Sequence, residues 1–428
     1  MSQIAVEGLR VLLSAYACEP GKGSEEGVGW NIAKEMARRH QVWVLTRTNN
    51  RAIIEDEMAR NPEPNLRFVY YDLPRWARWW KRGGRGVQLY YYLWQIGALT
   101  TARRVAREVS FDVAHHVTFA KYWNPTFLAF LPIPFVWGPL GGGDAVPWNF
   151  WKGLSSRGKV YEALRAAACW FGEHDPLVRR AAKRARVTVA TTRATADCLR
   201  RLGVSVVHEF SQVGLSDSEI GVLGRSTPRD HDRVRFVSIG RLLALKGFHW
   251  GLQAFAEAEV PDSEYWIIGS GPERRHLERL VGALGMADRV QFLGYLPHHE
   301  TLQRLGQCDV LVHPSLHESG GGVCLEAMAC GIPVICLDLG GLATQVTPKT
   351  GVKVSAGSPT QAVRDIAEAM RRLGTNRGLR EEMAVAARSR AQLEYSWSRK
   401  ADRIEAFYAA ASKINGPSPG ISNPAQSI

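Results

Sequence analysis

The sequence predicts an α/β protein in which two Rossmann-like domains face each other across a cleft. Short apolar segments alternate with helical patterns in both halves of the chain, which is typical of parallel sheets with crossover helices. A polar stretch rich in turn formers, 215–234, separates the two halves. The chain of 428 residues is also too long for a single ordinary core, so we expect two or three domains.

The first half contains six segments with the composition of buried strands, at 9–17, 41–47, 65–73, 111–119, 132–142 and 185–192. Between the first two of these segments, residues 27–40 have a helical pattern that opens on glycines. We therefore expect residues 1–214 to form the first domain, with a parallel sheet.

The alternation resumes after the polar stretch. Strand-like segments lie at 234–240, 264–271, 290–296, 308–315 and 333–339, and we expect helices near 248–258 and 274–284. Residues 215–394 are thus expected to form the second domain. The segment 395–414 has the pattern of a helix with Ile404, Phe407, Tyr408 and Ala411 on one face, and 415–428 is expected to be a disordered tail.

The composition indicates a soluble globular protein with an anionic partner. Hydrophobic residues make up 45% of the chain and charged residues 22%, and the net charge is +13. The seven cysteines are scattered without a CxxC motif, which favours a reducing cytosol and argues against a disulfide framework or a zinc site. The longest apolar stretch, 126–137, is too short and too rich in proline to span a bilayer. We expect the N-terminus to form the first strand rather than a signal peptide.

Two glutamates frame a glycine turn in the second domain. Glu318 and Glu326 are separated by seven residues, and Gly320, Gly321 and Gly322 lie between them. A helix start offers free N–H groups and the positive end of a dipole, and glycines let a ligand approach the backbone. Carboxylates accept hydrogen bonds from sugar hydroxyls, so the pattern suits a sugar nucleotide. An N-capped helix with an ordinary surface acid explains the spacing equally well.

Two cations lie near another strand end of this domain. Gly240 and Arg241 follow the strand at 234–240, and Lys246 and Gly247 precede the next helix. Cations at the carboxyl end of a strand are suited to a diphosphate, although such a pair alone is more often solvated. The segment 267–273, which contains Gly271, also ends a strand but lacks the third glycine of a dinucleotide fingerprint.

Together these motifs resemble those of family 4 (group 1) retaining glycosyltransferases of the GT-B fold. The signature of that family is a Glu-x7-Glu motif followed by AMACG-PV, and a GR…KG motif lies upstream of it. In this chain the first motif is Glu318 and Glu326 followed by AMACGIPV, and the upstream motif is Gly240-Arg241 with Lys246-Gly247. The segment 23–33 stands at the place of the family's glycine-rich first loop, and YSW at 395–397 resembles its crossover to the first domain. The resemblance covers nearly the whole chain.

The resemblance implies a role for each matching residue. Arg241 and Lys246 would neutralise the donor diphosphate, Glu326 would hold the ribose, and Glu318 would hold the donor sugar. The other donor-binding positions that it implies are Gly23, Ser24, Gly240, Gly271, Ser319, Gly320, Gly321 and Gly322. The family usually has bulkier residues at positions 320 and 322, so glycine at both is expected to widen the sugar pocket. The first domain would then face the acceptor and the second the donor.

The family also places a functional histidine after a strand that is similar to 111–119. His115 matches the first usual histidine position, and His116 lies one residue before the second. We favour His116 as the catalytic residue, with His115 as the second candidate and a buried structural histidine as the alternative. The glycine-rich loop 137–144 either lines the acceptor side of the cleft or is a tight turn.

Residues 74–94 mix cations with tryptophans and tyrosines, as interfacial helices do. We expect either a peripheral contact with an anionic membrane, which a lipid-linked acceptor would explain, or a packed aromatic helix. The basic stretch 179–186 either adds to that contact or is a solvated helix face. The acids in DHD at 230–232 lie in the polar stretch between arginines, so we do not expect them to bind a metal.

The resemblance implies a retaining hexosyltransferase that uses a nucleotide-diphosphate sugar, needs no metal and has no other cofactor. The acceptor would be a hydroxyl of a glycolipid, a polysaccharide precursor or another glycoconjugate. A nucleotide-sugar epimerase of the same fold is the first alternative. A nucleic-acid-binding protein is the second, but no recognised module accompanies the positive charge. We expect a cytoplasmic protein that acts in part at the inner face of the cytoplasmic membrane.

Overall fold

The computed structural model describes residues 8–78, 80, 86–153, 156–225 and 233–412. Thirteen strands in these residues are β1 Arg10–Ser14, β2 Gln41–Arg47, β3 Leu66–Tyr71, β4 Val113–His116, β5 Phe135–Leu140, β6 Val187–Ala190, β7 Val207–Glu209, β8 Val234–Ile239, β9 Ser263–Ile268, β10 Val290–Gly294, β11 Val310–His313, β12 Val334–Leu337 and β13 Gly351–Val354.

The helices of the first sheet's half are α1 Ser24–Ala37, α2 Arg51–Arg60, α3 Arg75–Arg78, α4 Val87–Glu108, α5 Ser156–His174, α6 Pro176–Arg184 and α7 Arg193–Arg201. Those that follow are α8 Asp217–Leu223, α9 Phe248–Ala258, α10 Arg274–Ala283, α11 His298–Gly306, α12 Gly322–Ala329, α13 Gly340–Gln345, α14 Pro359–Thr375, α15 Arg377–Tyr395 and α16 Trp397–Ser412. Short 3₁₀ turns occupy Thr48–Asn50, Phe127–Phe130, Trp148–Gly153 and Ala244–Lys246.

The strands form two parallel sheets. The first has seven strands in the order β3-β2-β1-β4-β5-β6-β7, and the second has six in the order β10-β9-β8-β11-β12-β13. Every ladder is parallel, for example Leu12 beside Trp43 and Val237 beside Trp266. The predicted fold class of two parallel α/β units is confirmed.

Each sheet is buried on both faces, which explains the nearly continuous apolar runs of its strands. In β1, Val11 and Leu13 join one core cluster and Leu12 joins the other. In β8, Phe236 and Val237 divide between the two clusters of the second sheet in the same way. This alternation follows from the period of two along a strand.

The last helix, α16, crosses back onto the first sheet, as predicted. Its apolar face, including Ile404, Phe407 and Tyr408, belongs to the core cluster of β1 and β2. Arg39 at the end of α1 binds Asp402 and Glu405 of α16, each at 2.7 Å. The described residues end at 412, so the predicted tail, 415–428, lies outside them.

The polar stretch 215–234, which separates the two halves of the sequence, contains a helix that was not predicted. Residues 217–223 form α8, which begins with a capping box between Ser216 and Glu219. Ile220 and Leu223 are buried against the second sheet. The apolar repeat covers a single turn, so only the S-x-x-E signal could have revealed the helix. Residues 226–232, which include DHD, lie outside the described residues.

Some aromatic side chains of the stretch 74–94 are buried and others are exposed. Trp94 is fully buried and donates its indole N–H to Tyr71 O at 3.0 Å, and Tyr91 is also buried. Trp76, in contrast, is 78% exposed. Residues 79 and 81–85 lie outside the described residues. No helix in the described ranges is both long and apolar enough to cross a membrane.

Candidate active site

The second sheet reverses its strand order between β8 and β11. Crossover helices leave these neighbouring strands toward opposite sides, and a crevice opens outside their carboxyl ends, where ligands of such sheets bind. The loop after β8 contains Arg241 and Lys246, and the loop after β11 contains Glu318 and the glycine turn. The topology therefore brings the two sequence motifs to one place.

Backbone contacts fix the two loops against each other. Leu316 N donates to Leu245 O at 2.9 Å. Gly247 has φ +69°, and a Cβ on it would lie 2.1 Å from Pro314 O, so only glycine permits this approach. The close packing places the end of the 3₁₀ turn Ala244–Lys246 beside Glu318.

Lys246 and Glu318 form an ion pair at the centre of the crevice. Lys246 Nζ binds Glu318 Oε2, while Glu318 Oε1 accepts a hydrogen bond from Gly321 N at 3.1 Å. His313 Nε2 lies 3.5 Å from Glu318 Oε2. Burial by itself would raise the pKa of Glu318, but the contact with His313 and the charge of Lys246 outweigh it, so that the pKa lies well below its usual range. Glu318 is thus held as a carboxylate.

The three glycines of the turn serve different purposes. Gly321 has φ +63°, and a Cβ there would lie 2.6 Å from Gln345 Oε1. A Cβ on Gly320 would lie 3.1 Å from Val213 Cγ1, whereas one on Gly322 would meet no atom within 4 Å. The expectation that glycine at 320 and 322 widens the sugar pocket stays a prediction: position 322 faces open space, whereas position 320 lies against Val213 in the segment between the domains.

The other predicted residues on this side of the crevice follow the carboxyl ends of two neighbouring strands: Gly240 and Arg241 follow β8, and Gly271 follows β9. Arg241 is exposed and forms no ion pair within the described part of the chain. Gly269 and Gly271 permit close backbone packing: a Cβ on Gly269 would lie 1.9 Å from Gly240 O, and one on Gly271 would lie 2.4 Å from Leu242 O. Gly240 itself has φ +148°, which favours glycine. Gly271 thus packs behind the cation loop, and any contact of it with a ligand stays a prediction.

Glu326 lies within α12, on the helix that the glycine turn begins. Its Oε1 is 2.9 Å from His298 Nε2 of α11. The hydrogen bond with Glu326 raises the pKa of His298. His298 is well exposed and its part in holding Glu326 was not predicted, because nothing in the sequence between 298 and 326 marks the two as neighbours.

Gly23 and Ser24 lie at the start of α1, at the carboxyl edge of the first sheet. Gly23 is the N-cap, and a Cβ on it would meet no atom within 4 Å. The next residue, Glu25, accepts a hydrogen bond from Phe119 N at 2.8 Å, and burial raises the pKa of this carboxyl. Phe119 has φ +57°, which is uncommon for a non-glycine residue and concentrates at functional sites. Sequence reasoning missed Glu25, although it directly follows the glycine–serine pair.

Both candidate histidines are buried at the end of β4 with each ring nitrogen paired. His115 contacts Tyr408 Oη at 2.8 Å and Gly138 O at 2.6 Å. His116 contacts Tyr91 Oη and Thr126 Oγ1, each at 3.0 Å. Burial lowers the pKa of His115 to about 4 and that of His116 to about 3, so both are neutral at pH 7. This geometry favours the alternative that both are buried structural histidines, and a catalytic role for either of them stays a prediction.

The loop after β5 reaches across the cleft to the glycine turn. Asp144, only 4% exposed, accepts a hydrogen bond from Ser319 Oγ at 3.3 Å. Burial raises the pKa of Asp144 in spite of hydrogen bonds from Thr192 and Ser319. Nearby, His317 Nε2 is buried and has no hydrogen-bond partner among the described residues. The loop 137–144 thus lines the cleft, and Asp144 and His317 are candidate site residues that sequence reasoning missed.

No group of three or more metal-ligating side chains occurs within the described ranges. All seven cysteines are free. The crevice of the second sheet presents two cations, Arg241 and Lys246, and two carboxylates, Glu318 and Glu326, next to the start of α12. Such a set can bind an anion next to a hydroxyl-rich group.

Part of this chain matches a known family. Residues 223–390 match the family model described as glycosyl transferases group 1. The 2-deoxystreptamine N-acetyl-D-glucosaminyltransferase of Streptomyces fradiae is 35% identical over 179 residues, which are 38% of this chain and 42% of the relative. The D-inositol 3-phosphate glycosyltransferase of Stackebrandtia nassauensis is 30% identical over 266 residues, 58% of this chain and 56% of the relative. The chain thus spans about half the length of these curated relatives or less.

Solved structures agree over nearly the whole length. A glycosyltransferase from Rickettsia africae has a TM-score of 0.62 at 14% identity and covers 95% of this chain and 100% of its own. At this identity the likeness shows the fold alone. The two domains of this chain, with the crossover helix α16, have the GT-B fold, and the second domain carries the sequence pattern of the group 1 glycosyl transferases.

Proposed function

We propose that this protein is a glycosyltransferase that moves a sugar from a nucleotide-diphosphate sugar to a hydroxyl acceptor with retention of configuration. The observation that carries the proposal is the Lys246–Glu318 pair at the strand-order reversal of the second sheet, beside exposed Arg241 and the start of α12. The match of residues 223–390 to the group 1 glycosyl transferases supports it, since that segment contains all of these residues.

The proposed leaving group is the nucleoside diphosphate, and its negative charge is met by cations that are already in place. Lys246 and Arg241 supply two positive charges, of which Glu318 balances one. The N–H groups at the start of α12 add the positive end of a helix dipole. Charge that is positioned in advance of the reaction stabilises the departing diphosphate without reorganisation.

Glu318 and Glu326 are proposed to hold the two sugar rings of the donor. Glu318 stays ionised because of His313 and Lys246, so both of its oxygens accept hydrogen bonds. We assign it the transferred sugar and Glu326 the ribose. His298 holds Glu326 in position by their contact at 2.9 Å.

We propose that retention arises without a covalent intermediate. The bond between the anomeric carbon and the diphosphate oxygen breaks while a bond to the acceptor oxygen forms on the same face. The acceptor's proton passes to the departing phosphate oxygen. In this scheme the chain's own groups bind, orient and stabilise charge, and neither His115 nor His116 needs to exchange a proton at pH 7, in line with their buried, paired rings.

The acceptor would enter from the first domain, next to the loop 137–144. Asp144 lies there across from Ser319, and Glu25 holds the loop after β4. We propose a hydroxyl on a glycolipid, a polysaccharide precursor or a related glycoconjugate, reached at the cytoplasmic face of the membrane. Trp76 and the start of α4 would make a peripheral contact with anionic lipid.

The test is a panel of UDP-, GDP-, ADP- and dTDP-sugars, with the release of nucleoside diphosphate followed by chromatography. Each donor is measured alone and with a lipid-linked and a soluble hydroxyl acceptor. We expect slow hydrolysis of one donor class alone and faster release with an acceptor. The anomeric configuration of the product, read by NMR coupling constants, should equal that of the donor.

Two outcomes would contradict the proposal. Interconversion of the donor into its epimer, without diphosphate release, would identify an epimerase of the same fold. Failure of every nucleotide sugar to raise the unfolding temperature, at concentrations up to several millimolar, would show that the crevice does not bind this class of ligand.

A further inference from the structure

Helix α5 carries an apolar face that nothing in the described chain covers. Of the sixteen exposed large hydrophobic side chains among the residues that the structure describes, five lie on this helix of 19 residues: Val160 (58%), Tyr161 (57%), Leu164 (67%), Trp170 (57%) and Phe171 (67%). Residues 160, 164 and 171 follow the helical spacing of one face, along a rod of about 28 Å. Soluble monomers rarely expose a continuous apolar strip of this kind without using it.

The opposite face of α5 packs against the first domain, so the apolar face points away from the core. Glu162 is buried and binds Arg165 at 3.0 Å. Cys169 Sγ lies 3.7 Å from Gly142 O, within the loop that lines the cleft. A Cβ on Gly172 would lie 2.3 Å from Trp123 O, which shows how closely the helix approaches the loop after β4. The exposed face therefore lies directly behind the acceptor side of the cleft.

The fully exposed charges of α5 and α6 are of one sign. Among the described side chains of 156–184, the exposed charged residues are all cations, namely Lys159, Arg179, Arg180, Lys183 and Arg184. The three carboxylates of the same segment are Glu162, which is buried, and Glu173 and Asp175, which are half-buried. The basic stretch 179–186 is thus the neighbour of an apolar strip rather than an isolated solvated face.

We propose that the apolar face of α5 lies in the interfacial layer of an anionic membrane, with the cations of α5 and α6 on lipid headgroups. Apolar side chains between cations are the pattern of interfacial helices. A second copy of this chain is the weaker candidate, because a symmetric contact would bring two rims of positive charge together. The inference does not depend on the transfer reaction, since lipid binding is measured without donor or acceptor.

The start of α4 belongs to the same surface. Gln88 Oε1 accepts a hydrogen bond from Asn124 at 3.4 Å, and Gly172 of α5 packs against the neighbouring Trp123. Leu89, which is 57% exposed, therefore flanks the same short loop as Phe171. A membrane on this side would present a lipid-linked hydroxyl next to the loops that line the cleft.

The test is co-sedimentation of the whole protein with vesicles of phosphatidylcholine, with and without 30% phosphatidylglycerol. The double variant Leu164→Ser/Phe171→Ser removes the apolar strip. The matched control is Val385→Ser/Leu393→Ser on α15, whose side chains are 63% and 59% exposed in the other domain. We expect the first variant to lose at least about tenfold in partition coefficient and the control to bind like the wild type.

A charge variant separates the two contributions. Lys159→Gln/Lys183→Gln should lose about fivefold per cation at low salt and little at high salt, because headgroup attraction is screened. Circular dichroism should be unchanged for every variant, since all the altered side chains are exposed. Equal binding of wild type and Leu164→Ser/Phe171→Ser would overturn the proposal. So would light scattering that shows a dimer in the wild type and a monomer in that variant, because a second copy would then cover the face.

Discussion

The ion pair between Lys246 and Glu318 gives the sharpest prediction, because the neighbouring cation Arg241 offers a contrast. Lys246→Ala removes a positive charge from the crevice and also deprives Glu318 of the lysine in its ion pair. Arg241→Ala removes a positive charge from an exposed side chain that forms no ion pair within the described residues. The two variants should therefore affect transfer alike and stability differently.

The expected magnitudes follow from burial. The side chains of Lys246 and Glu318 are 23% and 19% exposed, between a surface pair, worth about 0–1 kcal/mol, and a fully buried pair, whose disruption costs about 3–5 kcal/mol. We expect Lys246→Ala to lower the free energy of unfolding by about 1–2 kcal/mol and Arg241→Ala to leave it unchanged. Each should lower the rate of transfer by about 10²–10³-fold if it stabilises the departing diphosphate.

The stability effect should depend on pH in a defined direction. The pKa of Glu318 is lower in the folded protein than its unfolded value near 4.3, so its pairing contributes stability above that value and loses it as the pH falls through the folded pKa. Part of this contribution is due to Lys246. The difference between wild type and Lys246→Ala should therefore be largest near pH 7 and should shrink as the pH falls below about 4.3.

The assays are urea unfolding at several pH values and diphosphate release at saturating donor. The control is Lys34→Ala, which breaks the partly buried pair with Glu63 at the far end of α1 and should not slow transfer. Transfer within a few-fold of wild type in both Lys246→Ala and Arg241→Ala would refute the cation clamp. A stability loss that is equal in Lys246→Ala and Arg241→Ala would refute the assigned role of the ion pair.

The glycine turn gives a matched pair of variants. Gly321→Ala should destabilise the fold by about 1–3 kcal/mol, because φ is +63° and the new Cβ would lie too close to the Gln345 side chain. Gly322→Ala should leave stability unchanged and shift donor preference, because a Cβ at this position meets no other atom within 4 Å. Because both histidine rings are paired in the core, His115→Phe and His116→Phe should lower the unfolding temperature, and activity should follow the fraction of folded protein. If a His116→Gln variant folds but loses more than about 100-fold in the rate of transfer, His116 is catalytic instead. Their lowered pKa values, about 4 and about 3, mean that the unfolded chain binds more protons below pH 6.5, so stability should fall from there toward pH 4. Turnover in excess chelator should be unchanged, because cations meet the diphosphate charge, and strict dependence on magnesium or manganese would contradict this. Trp76→Ala should reduce vesicle binding that persists at high salt, and unaltered residual binding would exclude that segment.

The sequence alone determines the fold class. Strands that are buried on both faces require unbroken apolar runs, whereas the helices between them require apolar residues every three to four positions. Both patterns are local, so they can be recognised in the sequence. The short edge strands β7, Val207–Glu209, and β13, Gly351–Val354, were not predicted, nor was α8. Elements of three to seven residues carry too few apolar positions for a period, and they form because the sheet edge and the core are already there.

The two motifs of the crevice could likewise be recognised in the sequence, because glycines and charges after a strand are local signals. Which charges meet was decided by the tertiary structure. Lys246 and Glu318 are 72 residues apart and touch because β8 and β11 are neighbours, an order that no local pattern specifies. Asp144 reaches Ser319 over 175 residues and across two domains.

The two histidines show most clearly what the sequence alone does not determine. The sequence places His115 within an apolar strand segment, but its partner Tyr408 lies 293 residues away, on the helix that crosses back from the second domain. Whether a side chain faces a crevice or a core depends on what packs over it. That information lies in the arrangement of distant elements, because burial and pairing are properties of the folded chain rather than of a segment.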